Sequence, residues 1–135
     1  MLTTILAEKI AAAIALGPAN TRVRDYADIY TLTGNHIIAH HAARQALLAT
    51  TRFRGTHMVP LSSVIANLAD LRARDYTTYR ANIGKAGHDL PAEIQVLVAA
   101  VTDFADPLAA IAAPGTTWQP HTRLWTTDST DQLPN

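Results

Sequence analysis

Two stretches of helical spacing stand back to back at the start of the chain with only Gly17 and Pro18 as punctuation, and this arrangement requires a helical hairpin. The first runs from about Thr3 or Thr4 to Leu16, where Leu6, Ile10 and Ile14 recur every four residues as a buried ridge. The second begins at Asn20 or Thr21, both competent N-caps, and continues through RVRDYADIYTLT to Gly34, read as a left-handed C-cap. With a turn this short, the side chains of one helix face those of the next.

The rest of the chain extends the same pattern. A third helix is predicted over about Ile37 to Phe53, closed by Gly55, with Ile37, Ile38, Ala42, Ala46 and Leu47 on its apolar side. Pro60 is expected to open a long helix, PLSSVIANLADLRARDYTTYRANI, on which Leu61, Val64, Ile65, Leu68 and Leu71 keep helical spacing. NIGKAGHDLP reads as a loop, Asp89 as the cap of a helix with Pro91 in its first turn, and Ile94, Leu97, Val98 and Val101 as that helix's inward face. Asp106 and Pro107 restart a short helix, LAAIAA, which Pro114 and Gly115 end. The expected fold class is therefore all-α: one compact bundle of about five to six helices over residues 1–113. An irregular tail, residues 114–135, is expected to pack on it as extended chain, with Trp118 and Trp125 as its anchors. Abundant alanine beside only 6% aromatic residues supports helices over strands, so little or no strand is expected.

Composition excludes several chemistries. Without cysteine there is no disulfide framework, thiolate metal site or thiol nucleophile. Residues 1–101 hold ten Lys/Arg against seven Asp/Glu and residues 102–135 hold one against four, a weak asymmetry for binding a polyanion. The apolar opening carries Glu8 and Lys9 inside it and no basic region before it, which is the wrong charge order for a signal peptide. No run reaches the about 18 apolar residues of a membrane span, so the expectation is a cytoplasmic protein with no membrane partner.

Lys9 is the most informative side chain. Its helical neighbours Ile5, Leu6, Ala12 and Ala13 are all apolar, so its ammonium must either reach back to water or meet negative charge in a cleft. On the second helix Arg22 and Asp25 are three apart, Asp25 and Asp28 three, and Arg24 and Asp28 four, which puts both carboxylates on one side with an arginine within reach of each. Surface ion pairs explain that spacing, and so does a hairpin in which Lys9 faces Asp25 or Asp28 and the cluster binds nucleotide phosphates. His36, His40 and His41 include a pair at helical zinc-ligand spacing but have no third ligand nearby in sequence, and a polar helix entrance is the favoured reading. GKAG from Gly84 lacks the spacing of a phosphate-binding loop. Arg52, Arg54, Arg72, Arg74, Arg80 and Lys85 are read as solvated helix face, since Asp70 and Asp75 interrupt them.

Taken in order, LAEKIAAAIALGPANTRVRDYADIYTLTG resembles the AEK helix and the R-x-RD-x-x-D helix of the AbiEii/AbiGii-type nucleotidyltransferase toxins. Arg54-Gly55, FADP at Phe104–Pro107, and Trp118-x-Pro120 followed by Trp125 extend the likeness over nearly the whole chain. The resemblance implies a C-terminal helical portion of such an enzyme, a toxin of toxin–antitoxin and phage-defence (abortive infection) systems that transfers a nucleotide from NTP, with Mg2+, to RNA such as tRNA. It implies Lys9 as the family's lysine and Asp25 or Asp28 as its aspartate, with Arg22 and Arg24 toward substrate. The same family draws its metal-binding carboxylates from a G-S-x(n)-D-x-D segment, yet no Gly-Ser pair and no D-x-D occurs here. This chain is therefore expected to bind neither Mg2+ nor NTP tightly alone, to hold no metal site of its own, and to be silent in isolation. The partners implied are the N-terminal nucleotidyltransferase half, an antitoxin or a second copy of the chain, and the competing expectation is a helical protein-interaction module.

Overall fold

The computed structural model describes residues 1–20 and 22–127. Thr21, one of the two candidate N-caps, and the end of the tail lie outside the described residues. Among the described residues the chain folds as α1 (Leu2–Leu16), α2 (Val23–Thr33), β1 (Ile38–Ala39), α3 (His40–Arg54), α4 (Leu68–Asn82), α5 (Ile94–Ala105), β2 (Thr117–Gln119) and β3 (Leu124–Thr126). Short 3-10 turns at Gly17–Ala19, Leu61–Val64, Gly84–Asp89 and Asp106–Ala109 link them. The fold is a compact helical bundle, as the periodicity requires, with a very small sheet in the order β1-β2-β3.

Helix α1 is the central element. Leu6, Ala7, Ile10, Ala11, Ala13 and Ile14 are all buried in the core, and the alanines let α3 approach closely. By length and composition Leu2–Ala19 is apolar enough to cross a membrane despite Glu8 and Lys9, so the count of apolar residues in the sequence understated it. Packing inside the bundle accounts for that apolarity. Gly17 ends α1 with φ 57°, and a Cβ there would stand 2.9 Å from the carbonyl oxygen of Val64. Both the backbone angle and the close approach demand glycine at this turn.

Several boundaries differ from expectation. Residues Ile38–Ala39 pair with β2 rather than opening α3, and the helix starts at His40, whose N–H donates to the Thr116 carbonyl at 2.9 Å. The long helix from Pro60 is two pieces. Ser62 N–H is taken by Asp106 Oδ1 at 2.9 Å, Ser63 Oγ bonds the Pro60 carbonyl, and Asn67 adopts the left-handed conformation with φ 68°, so the chain turns before α4 begins at Leu68. Leu71 consequently faces solvent. Residues Gly84–Asp89 form a 3-10 turn rather than open loop. Asp89 does not cap α5. The Pro91 carbonyl is held by the Tyr76 hydroxyl and the Leu90 carbonyl by Arg80 Nε at 3.4 Å, which keeps this stretch extended until Glu93. After α5, only Asp106–Ala109 turn again, as a 3-10 segment, and Ile111 is exposed.

The tail corrects the expectation of irregular chain. Trp118 pairs with Ile38 on one side and Trp125 on the other, and Gln119 pairs with Leu124. Trp118 is fully buried, lies edge-on to Phe104 with centroids 5.1 Å apart, and donates its indole N–H to the Thr33 carbonyl at 2.7 Å. Trp125 stacks on Phe104 at 5.0 Å and donates to the Phe104 carbonyl at 3.0 Å. Gly34 is right-handed, not left-handed, with φ −83°. A Cβ there would meet the Arg123 guanidinium, the far end of a flexible side chain that could shift to make room. That guanidinium lies over the Tyr30 ring at 3.7 Å and donates to the Tyr30 carbonyl at 3.1 Å and to Thr33 Oγ1 at 3.2 Å.

Replacing Trp118 by alanine removes both the ring and the donor at the end of α2, and is expected to cost about 3–5 kcal/mol in equilibrium urea unfolding. Phe53→Ala, at a fully exposed ring, should change the same measurement by less than about 0.5 kcal/mol.

Candidate functional site

The α1–α2 hairpin brings together every side chain singled out on its two helices. Asn20 is buried at the turn and its Oδ1 accepts the Arg22 N–H at 2.8 Å, which fixes where α2 begins. From there Lys9 Nζ lies 3.3 Å from Asp25 Oδ1 and 3.0 Å from Asp28 Oδ2, donating a hydrogen bond to each. Arg22 Nη2 donates to Asp25 Oδ1 at 3.4 Å, and Arg24 Nε stands 3.8 Å from Asp28 Oδ2. Side-chain exposure is 23% for Lys9 and 4% for Asp25 but 62% for Arg22 and 77% for Arg24, so a buried carboxylate sits under two solvent-facing arginines.

Two features of Asp25 stand out. Arg22 Nε is 3.1 Å from its Oδ2 as an ion-pair contact without hydrogen-bond alignment, so this buried oxygen receives no hydrogen bond among the described residues. The buried hydroxyl of the next residue, Tyr26, also has no hydrogen-bond partner among the described residues. Burial, reinforced by the Asp25 charge, pushes the Tyr26 phenol well above its ordinary pKa. For Lys9, burial by itself favours the neutral amine, but the hydrogen bonds and charges of Asp28 and Asp25 outweigh it and hold the ammonium's pKa above the usual lysine value.

Lys9, Arg22, Val23, Arg24, Asp25 and Tyr79 line an open cleft of about 400 Å³. Its floor is the first turn of α2, whose capping residue Arg22 makes no side-chain hydrogen bond to the helix end. The positive end of the helix dipole adds to three cationic side chains. Arginines here oppose the dipole, and Asp25, the acidic residue of the first turn, offsets only part of that charge. An arrangement that works against helix stability yet concentrates donors in a cleft is suited to an anion.

The remaining candidates do not assemble. His40 is buried, its Nε2 is 2.8 Å from the Pro107 carbonyl oxygen and its ring is edge-on to Trp125, while His36 and His41 are exposed. Among the described residues no three His, Asp or Glu side chains converge on a metal-sized site. Arg54 reaches Glu8 at 3.5 Å, Arg72 reaches Asp75 and the Pro18 carbonyl, and Arg80 reaches the Leu90 carbonyl, so these arginines serve separate contacts. A roomier cleft of about 500 Å³ lies between α3 and residues 111–117, but it is mostly apolar and its Arg44 is committed to the Leu108 carbonyl at 2.7 Å. Convergence of charge, rather than volume, marks the hairpin cleft as the candidate site. Tyr79 is the cleft residue that the sequence did not reveal, because α4 is far from the hairpin along the chain and nothing in its spacing points there.

A family model described as "Nucleotidyl transferase AbiEii toxin, Type IV TA system" matches residues 1–109. No curated protein and no solved structure matches the chain.

Lys9 ties the cluster to stability, and the sign follows from its raised pKa. The favourable contribution is complete below the unfolded-state value near 10.5 and is lost as pH rises through the higher folded-state value. The Tyr26 phenol, also raised, acts in the same direction from its ordinary value of 10.0 upward. Thermal unfolding followed from pH 8 to 12 should thus show alkaline destabilisation that Lys9→Met and Tyr26→Phe each reduce. Removing the ammonium leaves Asp25 buried with Arg22 alone. At pH 7 Lys9→Met is expected to cost about 2 kcal/mol, below the usual figure for breaking a buried pair because Lys9 is partly solvated.

Proposed function

We propose, from the premise that this chain belongs to the AbiEii nucleotidyl transferase toxin family, that the hairpin cleft is the phosphate-handling part of a nucleotidyltransferase site. Toxin–antitoxin nucleotidyltransfer is the activity the family supports. The observation that carries the assignment is the surplus of positive charge: Lys9, Arg22 and Arg24 meet the N-terminal end of α2 against two carboxylates. In this reading Arg22 and Arg24, which are solvated and free to move, bind the nucleotide's phosphates. Lys9, fixed between Asp25 and Asp28, presents a positioned ammonium to the same oxygens.

Magnesium, which nucleotidyl transfer in the family generally needs, does not fit these residues alone. The Lys9 ammonium occupies the position between the two carboxylates that a cation would take, and the arginines add further positive charge. Mg2+ requires six oxygen ligands in near-octahedral array. The Oδ2 of Asp25 and the carboxylate of Asp28 supply too few, and the chain has no D-x-D to supply more. The metal-binding carboxylates belong to a segment other than this one. The isolated chain is therefore catalytically silent, and a tRNA acceptor and an antitoxin partner are proposals taken from the family.

A second reading, a helical interaction module, rests on a specific surface. Met1 and Ile5 are exposed two turns and one turn before Lys9 on the same side of α1, which leaves an apolar strip leading to the cleft. A partner bearing the metal carboxylates would cover that strip; a second copy or an antitoxin would also do so. Light scattering on the purified chain tests the second-copy option, since a strict monomer at high concentration argues against self-association.

The purified chain is expected to incorporate no labelled NTP into tRNA with Mg2+ present, and robust Lys9-dependent transfer would overturn the silent assignment. ATP should still bind weakly at low salt. Lys9→Met should reduce that binding about tenfold, the size of one lost charge-assisted hydrogen-bonding group. Failure of the wild-type chain to bind ATP or tripolyphosphate at all would sink the phosphate site.

A further inference from the structure

One wall of the cleft differs in chemistry from the rest. Lys9, Arg22, Arg24 and the first turn of α2 offer donors and positive charge, whereas Tyr79 of α4 offers a half-buried aromatic ring. The ring is held firmly. It packs against the core, and Tyr76, nearly one turn earlier on α4, is buried with its hydroxyl bonded to the Pro91 carbonyl. Farther back, Arg72 Nη2 donates to the Pro18 carbonyl at 3.4 Å, which ties α4 to the turn that sets the α1–α2 hairpin. The position of Tyr79 relative to Lys9 and Arg22 is thus built into the bundle.

Cations gather phosphates but do not recognise the flat, weakly polar part of a nucleotide; an aromatic face does, by stacking. A cleft of about 400 Å³ is within the range of small-molecule sites, and a nucleotide has the required division into a polyanionic and an aromatic end. We propose that Tyr79 is the platform on which the base of the bound nucleotide stacks, an inference that rests on the nucleotide reading of the same cleft. Every base has a π face, so Tyr79 adds affinity for nucleotides over bare polyphosphate without selecting sharply among bases.

The test is equilibrium binding of ATP and of inorganic tripolyphosphate to the intact chain, for wild type, Tyr79→Ala and Tyr79→Phe. ATP should bind wild type more tightly than tripolyphosphate does, bind Tyr79→Ala about tenfold more weakly, and bind Tyr79→Phe unchanged. Tripolyphosphate should bind all three alike. A second measurement does not depend on the alanine variant folding: the Tyr79 ring-proton resonances, assigned by comparison with Tyr79→Phe, should move upfield with ATP and stay in place with tripolyphosphate. Full ATP affinity in a folded Tyr79→Ala, or ring resonances indifferent to ATP, would overturn the platform. If tripolyphosphate binds in a Lys9-dependent way and ATP binds no better, the platform fails and the phosphate site stands. If neither ligand binds wild type, both fail together.

Discussion

An ammonium group inside an alanine-rich stripe is costly unless a negative charge is brought to it, and that need ties the fold of this chain to its chemistry. Lys9 projects from a helix whose neighbouring positions Leu6, Ala12 and Ala13 are buried. The carboxylates that meet it come from α2, 16 and 19 residues away. Only a tight reversal at Gly17 delivers them, and the reversal is tight because the backbone there approaches the Val64 carbonyl too closely for any side chain. The pairing and the turn therefore specify each other. Buried ion pairs contribute little net stability after desolvation, so the service of this one lies in fixing geometry.

The two ends of α2 are treated differently. At its C-terminal end the Thr33 carbonyl accepts the Trp118 indole N–H, so the β2–β3 hairpin satisfies a group the helix does not, and Arg123 adds a donor to the Tyr30 carbonyl, which already accepts the Gly34 N–H. Arg123 also places positive charge where the dipole is negative. At the N-terminal end, Arg22 and Arg24 oppose the dipole and remain solvated. A helix secured at one end by favourable contacts and left electrostatically unfavourable at the other is consistent with a ligand site at the second end.

The hairpin and its charge cluster were legible in the sequence because they are local. Apolar residues four apart, a Gly-Pro stop and charges three or four apart on the next helix allow the pairing within about thirty residues beside the alternative of separate surface ion pairs, and the structure shows Lys9 meeting both Asp25 and Asp28. Features set by distant chain were not legible. The break at Asn67 depends on Asp106 capturing the Ser62 N–H, and the late start of α5 depends on Tyr76 and Arg80 claiming the carbonyls of Pro91 and Leu90. Strands of two and three residues are too short to show alternation, so the sheet that seats Trp118 gave no periodic signal. Tyr79 reaches the cleft only because the bundle closes.

Charge balance also bears on why a cluster of this kind can persist as a folded object. In most two-metal sites the carboxylates repel one another until the ions arrive. Here Asp25 and Asp28 are balanced by Lys9, Arg22 and Arg24 together, so the cluster is compatible with folding in the absence of any metal. The same neutralisation makes the pair a poor metal ligand set. In the proposed reading the division of labour follows directly: this helical unit supplies positive charge and an aromatic wall for the nucleotide, and the carboxylates that hold divalent ions stand on a different segment.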